Sequence, residues 1–156
     1  MTEKTVIIIP ARYASSRFEG KPLALLTGAT GVARSLIQRS WDTACEVPGV
    51  DDIFVATDDD RIAQAVRDFG GQVIMTSDTC RNGTERVAEA LQGLAAPPDI
   101  VVNLQGDAPL TPPWFITALI EEMKRDREVQ MATPVLQCDG HTLNMFIEDH
   151  RNGQVG

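Results

Sequence analysis

The sequence is poor in cysteine: Cys45, Cys80 and Cys138 are three residues in 156, set far apart. They form no CxxC pair and no Cys/His set, which argues against a disulfide framework or a zinc site. Long apolar runs are missing as well. None is longer than Val6–Ile9, which falls far short of the roughly 20 residues a membrane-spanning helix needs. It follows Met1-Thr2-Glu3-Lys4 too closely, and is too short, to read as a secretory signal, so the expected compartment is the cytoplasm and no membrane partner is expected. Positive charge is in deficit, with 14 Lys and Arg against 22 Asp and Glu and a net charge of −8. That balance argues against a general nucleic-acid binder, which would carry a basic face. Two common nucleotide motifs are absent: no GxxxxGK[ST] occurs, and no GxGxxG follows the first apolar run. Their absence weighs against P-loop NTPases and nicotinamide dehydrogenases. Neither His141 nor His150 has neighbours from which a Ser/His/Asp set could be built.

What is present suits an ordinary globular chain, 43% apolar and 23% charged. A chain of this length buries roughly 68–70% of its unfolded surface, enough for one core. A single nucleotide-binding domain over residues 1–156 is therefore expected, with 137–156 irregular and resembling the start of an interrupted portion. The charge is uneven. Residues 1–40 hold six Lys and Arg against two Asp and Glu, whereas residues 41–156 hold eight against twenty. A basic first segment on an acidic chain suggests a small anionic ligand near the N-terminus.

Thr5–Pro10 is a continuous β-branched run closed by proline, the pattern of a strand buried on both faces. Ile53–Thr57 and Ile100–Gln105 repeat it, Gln72–Met75 is a shorter version, and Met131–Leu136 is a fifth candidate. Helical faces lie between them. The first is Ala33, Leu36, Ile37, Ser40, Trp41 and Ala44; the second is Ile62, Val66 and Phe69, stopped by Gly70-Gly71. Val87, Leu91 and Leu94 mark a third, and Phe115, Ile116, Leu119, Ile120 and Met123 a fourth that opens with Thr111-Pro112-Pro113. Buried strands alternating with amphipathic helices imply an α/β fold, a Rossmann-like three-layer sandwich around a mostly parallel sheet. Ligands of such sheets sit at the carboxyl ends of the strands.

Three segments at those ends could carry chemistry. The first, residues 10–23, reads PARYASSRFEGKPL and sets Arg12, Arg17 and Lys21 four or five residues apart. An irregular loop of this kind can turn guanidinium forks, an ammonium and backbone N–H groups toward one polyanion, which phosphoryl chemistry requires. The second is Asn103-Leu104-Gln105-Gly106-Asp107-Ala108-Pro109. Asp107, beyond a buried strand and after a glycine, is either a hard ligand for Mg²⁺ or the cap of a turn. The third, Arg81-Asn82-Gly83-Thr84-Glu85-Arg86, opens a helix whose free N–H groups suit an anionic or polar ligand, although Thr84 also reads as a simple cap. Asp58-Asp59-Asp60 contains a D-x-D, but it sits where acids favour the start of the helix after it, and capping is the better reading.

PARYASSRFEGKPL, VATDDDRIAQAVRDFGGQVIMTS, NGTER and VVNLQGDAP stand in an order and spacing that resembles the bacterial CMP-Kdo synthetases. These 3-deoxy-manno-octulosonate cytidylyltransferases belong to the sugar nucleotidyltransferases, and the likeness runs through residues 5 to 136. The resemblance implies the nucleotide-diphospho-sugar transferase type of fold, here without its C-terminal part. It also implies transfer of CMP from CTP to a 3-deoxy sugar acid, Kdo, with release of pyrophosphate, for lipopolysaccharide or capsule biosynthesis. Mg²⁺ is the implied cofactor and a homodimer the implied assembly.

Carried over by position, Arg12, Arg17 and Lys21 hold the triphosphate and Asp107 the metal. Gln105 and Asn82-Gly83-Thr84 line the cytosine and ribose pocket beside Pro10 and Ala11. There are departures from the family pattern: Glu19 stands where a proline is usual, Ala108 replaces a second carboxylate, and Cys80 replaces a histidine. Two other readings stay open, a non-catalytic nucleotide-binding module and a cytidylyltransferase for another sugar acid such as a sialic acid.

Overall fold

The β-branched run near the N-terminus forms strand β1, Thr5–Ala11, and every residue of it is buried. The computed structural model, which describes residues 3–14, 18–135 and 137–153, places this strand inside a four-stranded sheet. Its neighbours are β4 (Asp52–Thr57) on one side and β6 (Ile100–Asn103) on the other, with β5 (Val73–Met75) beyond β4. All three pairings are parallel, so Ile7 lies opposite both Ile53 and Val102.

A strand covered on both faces needs apolar side chains at every position, which is why this one reads as a run rather than an alternation. Ile7, Ile9 and Ala11 pack on one side with Ile37, Ile62, Val66, Ile116 and Ile120. Val6 and Ile8 pack on the other with Val87 and Ala90. The result is three layers: α1 (Leu36–Cys45), α2 (Asp60–Asp68) and α4 (Pro113–Arg125) on one face, the sheet, then α3 (Gly83–Gln92) on the other. Ile7, Ile8 and Ile9 are fully buried, and each such side chain contributes about 1.5–3 kcal/mol.

Local signals set the helix starts. Ser35 Oγ accepts from the Gln38 N–H at 3.3 Å, Asp59 Oδ1 from the Arg61 N–H at 2.9 Å and Asn82 Oδ1 from the Glu85 N–H at 2.9 Å. A cap of this kind is worth about 1 kcal/mol. The chain leaves β1 for α1 and β4 on one side of the sheet, then crosses through α3 to β6 on the other side of β1. The order therefore reverses between β1 and β6, and a crevice opens at their carboxyl ends, where open α/β sheets bind ligands.

Several details differ from the sequence reading. Ala33 belongs not to the first helix but to β3 (Ala33–Ser35), which pairs antiparallel with β2 (Leu25–Thr27) in a small hairpin. The Arg39 guanidinium holds that hairpin to α1 by donating to the Leu26 carbonyl at 2.5 Å. Residues 131–135 form no strand, because no neighbouring strand pairs with them, and Leu136 lies outside the described residues. At the start of α4 the capping position is Pro112 rather than Thr111, and no side chain caps it. The stretch expected to be irregular contains α5, Gly140–Arg151, started by Asp139, whose carboxylate accepts from the Thr142 N–H at 2.7 Å. That helix buries none of its residues. It lacks an apolar face packed on the core, which explains the weak periodicity of its sequence.

Candidate nucleotide-binding site

A cavity of about 500 Å³ occupies the crevice beyond β1 and β6. Its floor is the end of β1, Pro10 and Ala11, continued by Arg12. Lys21 and Pro22, in the 3₁₀ turn Lys21–Leu23, form one wall together with Phe18. Asn82 and Gly83 at the start of α3 form the opposite wall, and Gln105, Gly106 and Asp107 close the third side. Four segments distant in sequence thus converge, as the strand ends require.

Two glycines allow that convergence. A Cβ at Gly83 would stand 3.1 Å from Pro10 Cγ and 3.4 Å from Gln105 Oε1. A Cβ at Gly106 would stand 2.9 Å from the Pro10 carbonyl oxygen, closer than real Cβ contacts come. Main chain therefore passes directly over the end of β1 at both places, the close approach that glycine permits. Ser40 on α1 fixes the second crossing: its buried hydroxyl donates to the Gly106 carbonyl at 3.1 Å.

The electrostatics are polarised toward an anion. Arg12 and Lys21 supply cationic heads, and the start of α3, where Asn82 caps only the Glu85 N–H, adds the positive end of a helix dipole. The Lys21 ammonium donates to Asp107 Oδ2 at 2.8 Å, with both side chains about half exposed. An exposed pair of this kind is worth little to stability, so a polyanion can exchange into it cheaply.

Of the residues singled out in the sequence, Pro10, Ala11, Arg12, Lys21, Asn82, Gly83, Gln105 and Asp107 line this one cavity. Thr84 does not line it; its hydroxyl faces Asn103 instead, accepting from Nδ2 at 3.5 Å. Arg17 lies outside the described residues. Asn82 serves as the helix cap in place of Thr84. Asp59 does cap α2, consistent with the capping reading of the D-x-D, while Asp58 is drawn to a different partner.

That partner, Arg86, is the residue the sequence reading undervalues. It is 3% exposed. One guanidinium nitrogen donates to Asp58 Oδ2 at 3.1 Å, and another reaches the Thr76 hydroxyl and the Ser77 carbonyl. Arg86 thereby ties the first turn of α3 to the carboxyl ends of β4 and β5 while bordering the cavity. Its position beside Val87 and one turn before Ala90 on the buried side of α3 was the available signal. Cys80, also on the wall, donates its S–H to Glu89 Oε2 at 3.0 Å. That hydrogen bond, with some burial, raises the thiol above its usual range, and the same bond with the Ser77 N–H holds the Glu89 carboxyl below its own.

Among the described residues no three Asp, Glu, His or Cys side chains cluster as a metal cage. Asp107 presents one exposed carboxylate at the cavity rim. A single carboxylate at the rim of a cavity lined by Arg12 and Lys21 is of the kind that could hold Mg²⁺, which binds through one or two carboxylates together with substrate phosphates and keeps much of its water.

Comparison with known proteins places the chain in a family. A family model described as Cytidylyltransferase matches residues 6–145. The 3-deoxy-manno-octulosonate cytidylyltransferase of Maricaulis maris is 48% identical over 148 residues, covering 95% of this chain and 55% of the relative. The mitochondrial 3-deoxy-manno-octulosonate cytidylyltransferase of Arabidopsis thaliana is 48% identical over 132 residues, covering 85% and 44%. A solved CMP:2-keto-3-deoxy-manno-octonic acid synthetase complexed with CTP superposes with a TM-score of 0.74 at 42% identity, covering 81% of this chain and 49% of that one. The chain spans about half the length of the curated relatives it matches.

Proposed function

The chain belongs to the cytidylyltransferase family, and from that premise we propose that it is the nucleotide-binding portion of an enzyme that transfers CMP from CTP to the 3-deoxy sugar acid Kdo. The observation that carries the proposal is the convergence of Arg12, Lys21, the start of α3 and Asp107 on one cavity at the reversal point of the sheet.

In this reading the triphosphate lies over the end of β1. Arg12 and Lys21 offset its charge, with Arg17 added on the strength of the family resemblance alone. Asn82, Gly83 and Gln105 flank the nucleoside, and the glycines at positions 83 and 106 let these walls close on Pro10 at the end of β1. Bound Mg²⁺ would be held by Asp107 and would supply charge neutralisation at the phosphates. The anomeric hydroxyl of the sugar acid attacks the α-phosphorus in line. The bond to the bridging oxygen breaks, pyrophosphate leaves, and the hydroxyl proton passes to solvent. No nucleophile–base pair is needed, since positioning and electrostatic offset supply the acceleration.

The product serves lipopolysaccharide or capsule synthesis in the cytoplasm, and the working assembly is a homodimer. Pyrophosphate release from CTP plus Kdo tests the proposal. Turnover supports it, and CTP binding without turnover favours a non-catalytic nucleotide-binding module, the reading that Ala108 recommends. Turnover with a sialic acid and none with Kdo moves the assignment to that acceptor.

A further inference from the structure

The first loop meets the cavity at both ends, through Arg12 and through Lys21. Something outside the cavity holds those ends together. The Tyr13 carbonyl accepts from the Gly20 N–H at 2.9 Å, closing the loop on itself. Gly20 is left-handed, with φ of 70°, and a Cβ there would lie 3.0 Å from Tyr13 Cζ. The phenol end of the tyrosine ring therefore packs against Gly20, one residue before Lys21. A face of the same ring is covered from α2: the Arg61 guanidinium carbon lies 3.3 Å from the ring centroid. That guanidinium is itself clamped, because Asp59 accepts from Arg61 Nε at 3.0 Å and from Nη2 at 2.7 Å. Asp59 is in turn fixed as the cap of α2. A continuous chain of contacts runs from the helix cap through the guanidinium and the phenol ring to Gly20, the residue before Lys21.

We propose that Arg61 is a positioning residue for the nucleotide site: clamped by Asp59 over Tyr13, it fixes the loop ends that present Arg12 and Lys21. It touches no part of the cavity and acts through Tyr13. The surface cation–π contact sets the scale, and its loss should weaken polyphosphate binding about two- to fivefold. The inference rests on the proposed CTP site.

Tyr13 is the sole tyrosine, so its ring resonances in a ¹H–¹³C spectrum are assigned without ambiguity. The test uses this chain and titrates CTP with Mg²⁺ and, as a second probe, inorganic tripolyphosphate. Arg61→Ala should shift the Tyr13 ring signals and weaken both ligands, with the melting temperature nearly unchanged. Tyr13→Phe keeps an aromatic face for the cation and should bind as the parent does. Tyr13→Leu should weaken binding as Arg61→Ala does, and the double variant should be no weaker than either single one. If the parent binds either probe and Arg61→Ala binds it equally well, or if the two losses add in full, this inference is overturned alone. A parent that binds neither probe overturns the CTP reading together with it.

Discussion

Replacing Arg86 with methionine tests how the start of α3 is held at the site. Methionine keeps much of the length and removes the charge. The substitution leaves the Asp58 carboxylate without its partner and strips a donor from the Thr76 hydroxyl and the Ser77 carbonyl. Removing one member of a buried ion pair costs about 3–5 kcal/mol, because the survivor is left desolvated. The Asp58 side chain keeps 19% exposure, so water recovers part of the loss and the lower end, about 3 kcal/mol, applies. At about 2–4 °C per kcal/mol for a domain of this size, the melting temperature should fall by about 6–12 °C. Thermal unfolding followed by circular dichroism reads this directly. Adding Asp58→Leu removes the orphaned charge and should restore at least half of the loss. A single variant that melts within about 2 °C of the parent would refute the reasoning, as would a double variant less stable than the single one.

Three further outcomes follow from the geometry. Lys21→Met breaks only a half-exposed pair, so stability should change by no more than about 1 kcal/mol. CTP affinity measured by calorimetry should nonetheless drop by roughly tenfold, the loss of one charge-assisted contact of about 1.5 kcal/mol. Gly106→Ala forces a methyl against the Pro10 carbonyl oxygen; urea unfolding should register about 1–3 kcal/mol of destabilisation, and nucleotide binding should weaken with it. Glu89 has its carboxyl held low by the Cys80 S–H and the Ser77 N–H, so its contribution is present above the ordinary carboxylate range and is lost as pH falls through the lowered value. Glu89→Gln should therefore flatten the acid limb of a stability–pH curve, and an unchanged limb would contradict the assigned hydrogen bonds.

Which of these features could be read from the sequence follows a physical division. The strands around β1 were legible because a parallel sheet covered on both faces needs unbroken β-branched runs, and Val6–Ile9 is one. Once those runs were placed, the rule that ligands sit at strand carboxyl ends pointed to the segments after Pro10, Thr57, Met75 and Gln105, of which the first and last share the cavity. The hairpin β2–β3 was missed because its strands are short and mostly exposed, leaving no burial pattern. The helix α5 was missed for the same reason, since none of its residues is buried. Arg86 was hidden for a different one: its partner Asp58 lies 28 residues away, and charge pairing across a fold has no periodicity. Thr84 as the cap was the wrong choice between two polar residues flanking Gly83, of which Asn82 has the geometry to cap.

Lys21 and Asp107 pair at one cavity, and the proposed function requires them to exchange that pairing for a metal-bound nucleoside triphosphate. Calorimetric titration of CTP into the parent and Asp107→Ala, with Mg²⁺ and then with chelator, addresses it most directly. The parent should bind CTP in a Mg²⁺-dependent manner, and Asp107→Ala should lose both the tight binding and its dependence on the metal. Equal affinities in the two proteins, unchanged by chelator, would contradict the account.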